Sequence, residues 1–122
     1  TNNYGPYQFP EKFIPTLISY FLKNEKAPIY GKGTNVREWM YVDDSCNAIW
    51  KSVVSKNNFE KMNIGSGVRI SNLEIAKTVF KIMKSQNLTN LKDNNFIKMV
   101  KDRPGHDKRY ALNTNFFKKK IN

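Results

Sequence analysis

The stretch Val36-Arg37-Glu38-Trp39-Met40-Tyr41-Val42-Asp43-Asp44 decides how the chain is read. From Val36 to Val42 the residues alternate well enough in polarity to form a strand, because side chains on a pleated backbone point to opposite faces in turn. Asp43 or Asp44 then offers a carboxylate to cap a helix start. Along that helix Cys46, Ile49, Trp50, Val53 and Val54 recur at helical spacing, which predicts a buried stripe with the lone cysteine in a core. Trp39 and Trp50 are both expected inside. Strand followed by helix sets the expected fold class: α/β to α+β, with three or four helices packed on short strands.

Working outward toward the N-terminus, Pro28-Ile29-Tyr30-Gly31-Lys32-Gly33 reads as a short extended piece ending in a glycine turn. Before it, Ile14, Leu17, Ile18, Phe21 and Leu22 form the apolar side of an amphipathic helix from Ile14 to Lys23, with Pro15 tolerated in the first turn. Toward the C-terminus, Lys61 to Gly65 is a strand candidate, followed by the turn Gly65-Ser66-Gly67. Ser71-Asn72-Leu73-Glu74 has capping-box spacing and predicts a third helix, whose apolar face continues through Ala76, Val79, Phe80 and Met83. Ser85 to Asn95 is polar and reads as a loop, and Phe96 to Val100 as another strand. Asp102-Arg103-Pro104-Gly105-His106-Asp107 is a turn-rich segment, and a last helix starts near Asn113.

The chain has 122 residues, enough for one modest core. Its hydrophobic content of 39% and aromatic content of 13% predict a folded rather than a disordered segment. No apolar run approaches membrane-spanning length, and no secretory signal is present at Thr1-Asn2-Asn3-Tyr4-Gly5-Pro6. One cysteine and one histidine exclude an internal disulfide framework and make a structural zinc site improbable. A reducing, cytoplasmic setting fits. The net charge of +11 could attract nucleic acid, acidic membranes or phosphorylated ligands. Lysines are spread over most of the chain, however, and Arg37 and Arg103 sit in turn-punctuated segments rather than along one helix face. With asparagine also abundant, the charge reads as compositional bias on a solvated surface. A basic nucleic-acid-binding module is the alternative from a different functional class, and salt-dependent binding to DNA would favour it.

Four segments combine backbone-shaping Gly or Pro with side chains suited to a phosphorylated sugar. In order they are Asn2-Asn3-Tyr4-Gly5-Pro6-Tyr7-Gln8-Phe9-Pro10-Glu11-Lys12-Phe13; Pro28 to Gly33 continuing through Val36 to Asp44; Asn63-Ile64-Gly65; and Asp102 to Asp107. Together they resemble the extended short-chain dehydrogenase/reductase family, most closely its dTDP-glucose 4,6-dehydratase branch, over nearly the whole chain. The resemblance implies the C-terminal substrate-binding lobe of an extended Rossmann-type enzyme, with residues 1–122 as one sugar-nucleotide-binding region. It implies dTDP-glucose or UDP-glucose as substrate, NAD as cofactor and a homodimeric parent enzyme. A UDP-glucose 4,6-dehydratase and a related sugar-nucleotide epimerase or decarboxylase stay open.

The resemblance also implies residue roles. Asn2 would contact the sugar nucleotide and Asn3 the NAD, since a carboxamide both donates and accepts. Lys12 and Phe13 would line the substrate site at a helix entrance. Pro28, Ile29 and Tyr30 would border the nucleotide base. Arg37 and Arg103 would meet the diphosphate with a planar fork of donors. Asn63 would add a hydrogen bond, and the loop Asp102, Arg103, Pro104, Gly105 and His106 would close over the ribose and phosphate end.

Each role has a plainer competitor. Asn2 and Asn3 could shape the turn before Gly5-Pro6. Arg37 could be a surface charge or an ion-pair partner, and His106 a turn residue. Glu38, Asp43 and Asp44 look like an acid cluster, yet helix capping explains Asp43 and Asp44 better. Gly65-Ser66-Gly67 is not a dinucleotide fingerprint, because Ile70 stands where its third glycine should fall. None of the tyrosines, from Tyr4 to Tyr110, has a lysine four residues later, so the dehydrogenase base expected of the family is not in this sequence. The chain therefore reads as a fragment truncated at both ends that lacks the catalytic residues. It is expected to be inactive alone and to expose a face that limits solubility.

Overall fold

Side-chain chemistry first becomes geometry at Ser71, where the anticipated capping box forms in full. The computed structural model describes residues 1–55 and 61–121. The Ser71 hydroxyl accepts the Glu74 backbone N–H at 3.3 Å, and the Glu74 carboxylate accepts the Ser71 N–H at 3.0 Å. Two otherwise unpaired donors are satisfied, and the helix starts there.

The described residues form six strands and four helices: β1 (Asn2–Tyr4), α1 (Phe13–Leu22), β2 (Ala27–Tyr30), β3 (Val36–Tyr41), α2 (Val42–Val54), β4 (Arg69–Ser71), α3 (Asn72–Ser85), β5 (Ile97–Val100), β6 (Arg109–Tyr110) and α4 (Asn115–Ile121). One sheet has the order β1-β3-β4 with β6 pairing β3, and a second pairs β2 with β5. This is the α/β architecture anticipated from sequence. Where length alone allows one core, the chain divides into two compact units. The first comprises Thr1–Tyr7, Arg37–Arg69 and Arg109–Asn122; the second comprises Gln8–Val36 and Ile70–Lys108.

In the second unit β2 and β5 run parallel, with Ala27 opposite Ile97 and Tyr30 opposite Val100. Helix α1 packs on α3. Leu17, Phe21, Ala27, Ile29, Ala76, Phe80, Met83 and Phe96 are buried. The rings of Phe80 and Phe96 stack at 4.2 Å, and Phe21 meets each of them edge-on. Offset and edge-to-face pairs of this kind add to simple burial.

In the first unit β1 runs parallel to β3, with Asn2 opposite Trp39 and Tyr4 opposite Tyr41. Glu38, Trp39 and Met40 are buried in succession, as expected for a strand with neighbours on both sides rather than one with a wet face. Beyond it, the sequence-based expectation fails at α2. Tyr41, not an aspartate, occupies the cap position, and it makes no side-chain cap; Asp43 and Asp44 lie within the first turn. There their charge still favours the helix start.

The face of α2 is also reversed. Ser45 and Ala48 are its buried residues. The expected core stripe points outward: Ile49 is 53%, Trp50 66%, Val53 70% and Val54 57% exposed. Cys46 is exposed as well. Helical periodicity identifies an apolar face but not what covers it. Lys61 to Gly65 forms no strand; the N-terminal ammonium of Thr1 reaches the Ile64 carbonyl there at 3.4 Å. No described helix is long and apolar enough to cross a membrane.

Candidate functional site

Strands β2 and β5 end at the same edge, and the backbone beyond them is built for close approach. The Gly31 N–H donates to the Val100 carbonyl at 2.9 Å, extending the ladder one step, and Gly33 N–H closes a turn onto the Tyr30 carbonyl at 3.1 Å. Gly31 has φ +57, and a Cβ there would lie 2.7 Å from the Asp102 carboxylate. Only glycine meets both demands without strain.

Asp102 is thereby pressed against the end of β2. Its Oδ1 accepts the Arg103 backbone N–H at 2.8 Å and lies 2.7 Å from His106 Nδ1. Arg103-Pro104-Gly105-His106 has proline then a glycine at φ +68, and the His106 N–H returns to the Arg103 carbonyl at 3.2 Å. Those are the marks of a type II turn. The turn folds His106 back so that its side chain is only 5% exposed and its Nε2 is 3.1 Å from Arg103 Nη2. The Arg103 guanidinium in turn lies 5.0 Å from the Tyr30 ring centroid. The hydrogen bond from His106 leads in holding the Asp102 carboxyl below its usual range, with the Arg103 N–H and nearby positive charge adding to it against a smaller opposing effect of desolvation. Of the residues singled out from sequence, Tyr30, Asp102, Arg103 and His106 thus come together in one cluster. It lies outside the carboxyl ends of parallel strands, where α/β folds commonly bind ligands.

The other anticipated residues of the second unit differ in availability. Lys12 is exposed and takes the cap position of α1, and Phe13 is half-buried as its first residue. Pro28 is half-buried. Ile29 is 1% exposed, so its side chain belongs to the core and only its backbone faces the strand edge.

In the first unit Asn2 is half-buried and Asn3 exposed, both within β1 rather than in a turn. Arg37 is half-buried on β3. Asn63 is exposed, and its amide reaches the Asn113 carbonyl at 3.4 Å. Nearby Arg69, Arg109 and Lys118 line a cavity of about 550 Å³ together with Asn113. Sequence reasoning picked out none of these three cations, which stand far apart along the chain; side by side they suit an anion.

Glu38 is the other residue that sequence reasoning misplaced. It is fully buried, not part of an acid cluster. Its carboxylate accepts Gly67 N–H at 3.0 Å and Leu112 N–H at 3.4 Å, and Arg69 Nε lies 3.5 Å away. A Cβ at Gly65 would collide with it. Burial alone would raise its pKa, but the two backbone donors and Arg69 outweigh that and leave it below the ordinary value. The available signal was a lone acid inside an otherwise largely apolar strand. Among the described residues no group of three or more His, Cys, Asp or Glu is arranged to hold a metal.

Known proteins share this chain's sequence pattern and fold over most of its length. The sequence pattern of the family described as GDP-mannose 4,6 dehydratase matches residues 1–122. A dTDP-glucose 4,6-dehydratase of Streptomyces niveus is 40% identical over 114 residues, covering 93% of this chain and 32% of that protein. The crystal structure of a dTDP-glucose 4,6-dehydratase from Bacillus anthracis in complex with NAD superposes with a TM-score of 0.83 at 37% identity, covering 98% of this chain and 35% of that one. That of the dTDP-glucose 4,6-dehydratase DesIV from Streptomyces venezuelae, with NAD and TYD bound, superposes with a TM-score of 0.84 at 35% identity, with the same coverage. The chain spans about a third of the length of the curated relatives it matches.

Proposed function

Since the chain belongs to the GDP-mannose 4,6 dehydratase family, we propose that it serves as the sugar-nucleotide-gripping part of an NAD-dependent dTDP-glucose 4,6-dehydratase. The whole enzyme would convert dTDP-glucose to dTDP-4-keto-6-deoxyglucose and water, as a cytoplasmic homodimer. The observation that carries the reading is the Arg103 guanidinium held across Tyr30 at the ends of β2 and β5. An aromatic face and a fixed cation side by side match a nucleobase joined to a diphosphate.

Within the second unit, Tyr30 and the backbone of Pro28 and Ile29 flank the base, Arg103 neutralises the diphosphate, and Pro104 and Gly105 shape the loop with Asp102 and His106. Lys12 and Phe13 contact substrate at the start of α1. Within the first unit, Asn2 and Asn63 supply hydrogen bonds to the substrate and Arg37 a further charge for its diphosphate. NAD, when bound, would supply the hydride acceptor and donor that the sugar's oxidation and re-reduction need. Asn3, an exposed carboxamide in the middle of the parallel strand β1, fits a cofactor contact, since it can both donate and accept. These groups bind and orient. With no tyrosine-to-lysine pair at the required spacing, the chain by itself has no group to handle the C4 hydroxyl proton.

Calorimetric titration of the 122-residue chain with dTDP and with UDP tests the reading. Both should bind, and Arg103→Ala should weaken each by roughly tenfold or more, the size expected for a lost charge-assisted hydrogen bond. Failure of either nucleotide to bind at millimolar concentration overturns it. Conversion of dTDP-glucose by the chain alone would overturn the division of labour.

A further inference from the structure

We propose that His106 is a positioning residue: as a neutral ring carrying its proton on Nδ1, it holds the Arg103 guanidinium against Tyr30 and so presets the anion-binding face of this cluster. For its ligand the inference rests on the nucleotide-binding reading above; the clamp itself rests on side-chain geometry.

A guanidinium has only N–H donors. The 3.1 Å contact between Arg103 Nη2 and His106 Nε2 therefore makes Nε2 the acceptor. The ring proton then sits on Nδ1, where it donates to Asp102 Oδ1 at 2.7 Å. Asp102 is itself fixed, because the same oxygen accepts the Arg103 backbone N–H and the carboxylate packs over Gly31. The chain of contacts closes on itself: Tyr30 is bonded to Gly31, Gly31 bears on Asp102, Asp102 on His106, His106 on Arg103, and Arg103 on Tyr30.

Two consequences follow from that ring of contacts. Both imidazole nitrogens are engaged, so His106 has none left to exchange a proton with a reacting sugar. Arg103 gives one of its five N–H donors to His106 and keeps its guanidinium plane in place. A long side chain that is already immobilised loses less freedom when a diphosphate arrives, an advantage on the order of threefold to tenfold in affinity.

His106 is the chain's single histidine, so its ring nitrogens can be read without assignment ambiguity. Long-range nitrogen–proton NMR of the ligand-free chain at pH 7.5 should show the neutral Nδ1–H tautomer. An Nε2–H tautomer or a ring cation overturns the clamp.

Substitutions then ask whether the acceptor matters. His106→Gln can place its amide oxygen near the Nε2 position and should keep dTDP affinity within about twofold of the parent. His106→Asn reaches Asp102 but not Arg103, and should lose roughly as much affinity as His106→Ala, about threefold to tenfold. In an Arg103→Ala background, His106→Ala should add nothing further, because the lost interaction is already gone. Equal losses for the Gln and Asn variants, or independent losses in the double variant, overturn the proposal. The Gln and Asn pair decides it even if the alanine variant misfolds. If the parent chain binds no dTDP, the nucleotide reading falls, while the tautomer measurement still settles the clamp.

Discussion

In the second unit Phe21, Phe80 and Phe96 meet with ring centroids 4.2 to 6.1 Å apart, and α1, α3, β2 and β5 close over them. In the first unit the buried apolar side chains among the described residues are Trp39, Met40 and Ala48, alongside the polar Glu38, Ser45 and Thr114. Its larger apolar groups on α2 face out. The one is held by packing of large rings; the other leans on a buried carboxylate that collects backbone donors. Stability in the two should therefore answer to different perturbations.

The strongest way to sharpen that contrast is Phe80→Ala. Phe80 is 3% exposed at the centre of the ring cluster, and its truncation leaves a cavity as well as lost burial. The expected destabilisation is about 4 kcal/mol. Urea unfolding followed by hydrogen exchange should show protection lost first in α1, α3, β2 and β5; unchanged protection there would break the comparison.

Glu38→Ala comes next. It strips the acceptor from the Gly67 and Leu112 N–H groups, for an expected destabilisation of about 2 kcal/mol. The ion pair itself adds little, since the Arg69 side chain is 41% exposed and screened by water. The pH dependence has a definite sign. Because the folded pKa lies below the ordinary value of 4.5, the unfolded chain binds the proton more readily. The contribution of Glu38 is therefore complete above that value and fades as pH falls through the lower folded value. Acid titration of the parent, watched by Trp39 fluorescence, should show a transition in this window that Glu38→Ala lacks. Equal acid sensitivity would remove Glu38 from its role.

The smallest effect is expected on α2. Replacing Trp50 and Val53 together by lysine should change unfolding free energy by no more than about 0.5 kcal/mol, because neither side chain is buried. It should raise solubility by removing apolar surface. A loss of several kcal/mol would mean that the face is covered after all.

These differences also explain what the sequence disclosed. The capping box at Ser71, the glycine turn at Gly31 and the strand from Phe96 were legible because each depends on a few neighbouring residues. Strands β1, β4 and β6 were not: with 2 or 3 residues each, they are too short to show a period, and their pairing is decided by remote chain. The face of α2 was misread for the same reason, since its covering is a tertiary property. At the site, Tyr30, Arg103 and His106 were nominated through the family resemblance that their Pro/Gly-punctuated segments carry. The bond from Arg103 to His106 could not be, because it depends on how the Pro104-Gly105 turn folds the chain back. The buried role of Glu38 was hidden because its partners Gly67, Arg69 and Leu112 lie far along the sequence.

The discontinuous make-up of the two units bears on how the molecule can be taken apart. The polypeptide passes from one to the other four times, after Tyr7, Val36, Arg69 and Lys108, and the second and third passages fall inside β3 and β4. No single protease nick or recombination breakpoint can free either unit as an intact piece. An early stop codon at any of the first three passages would leave both units short of a segment, and one after Lys108 would still strip the first unit of its last segment, so the pair must be engineered as one block.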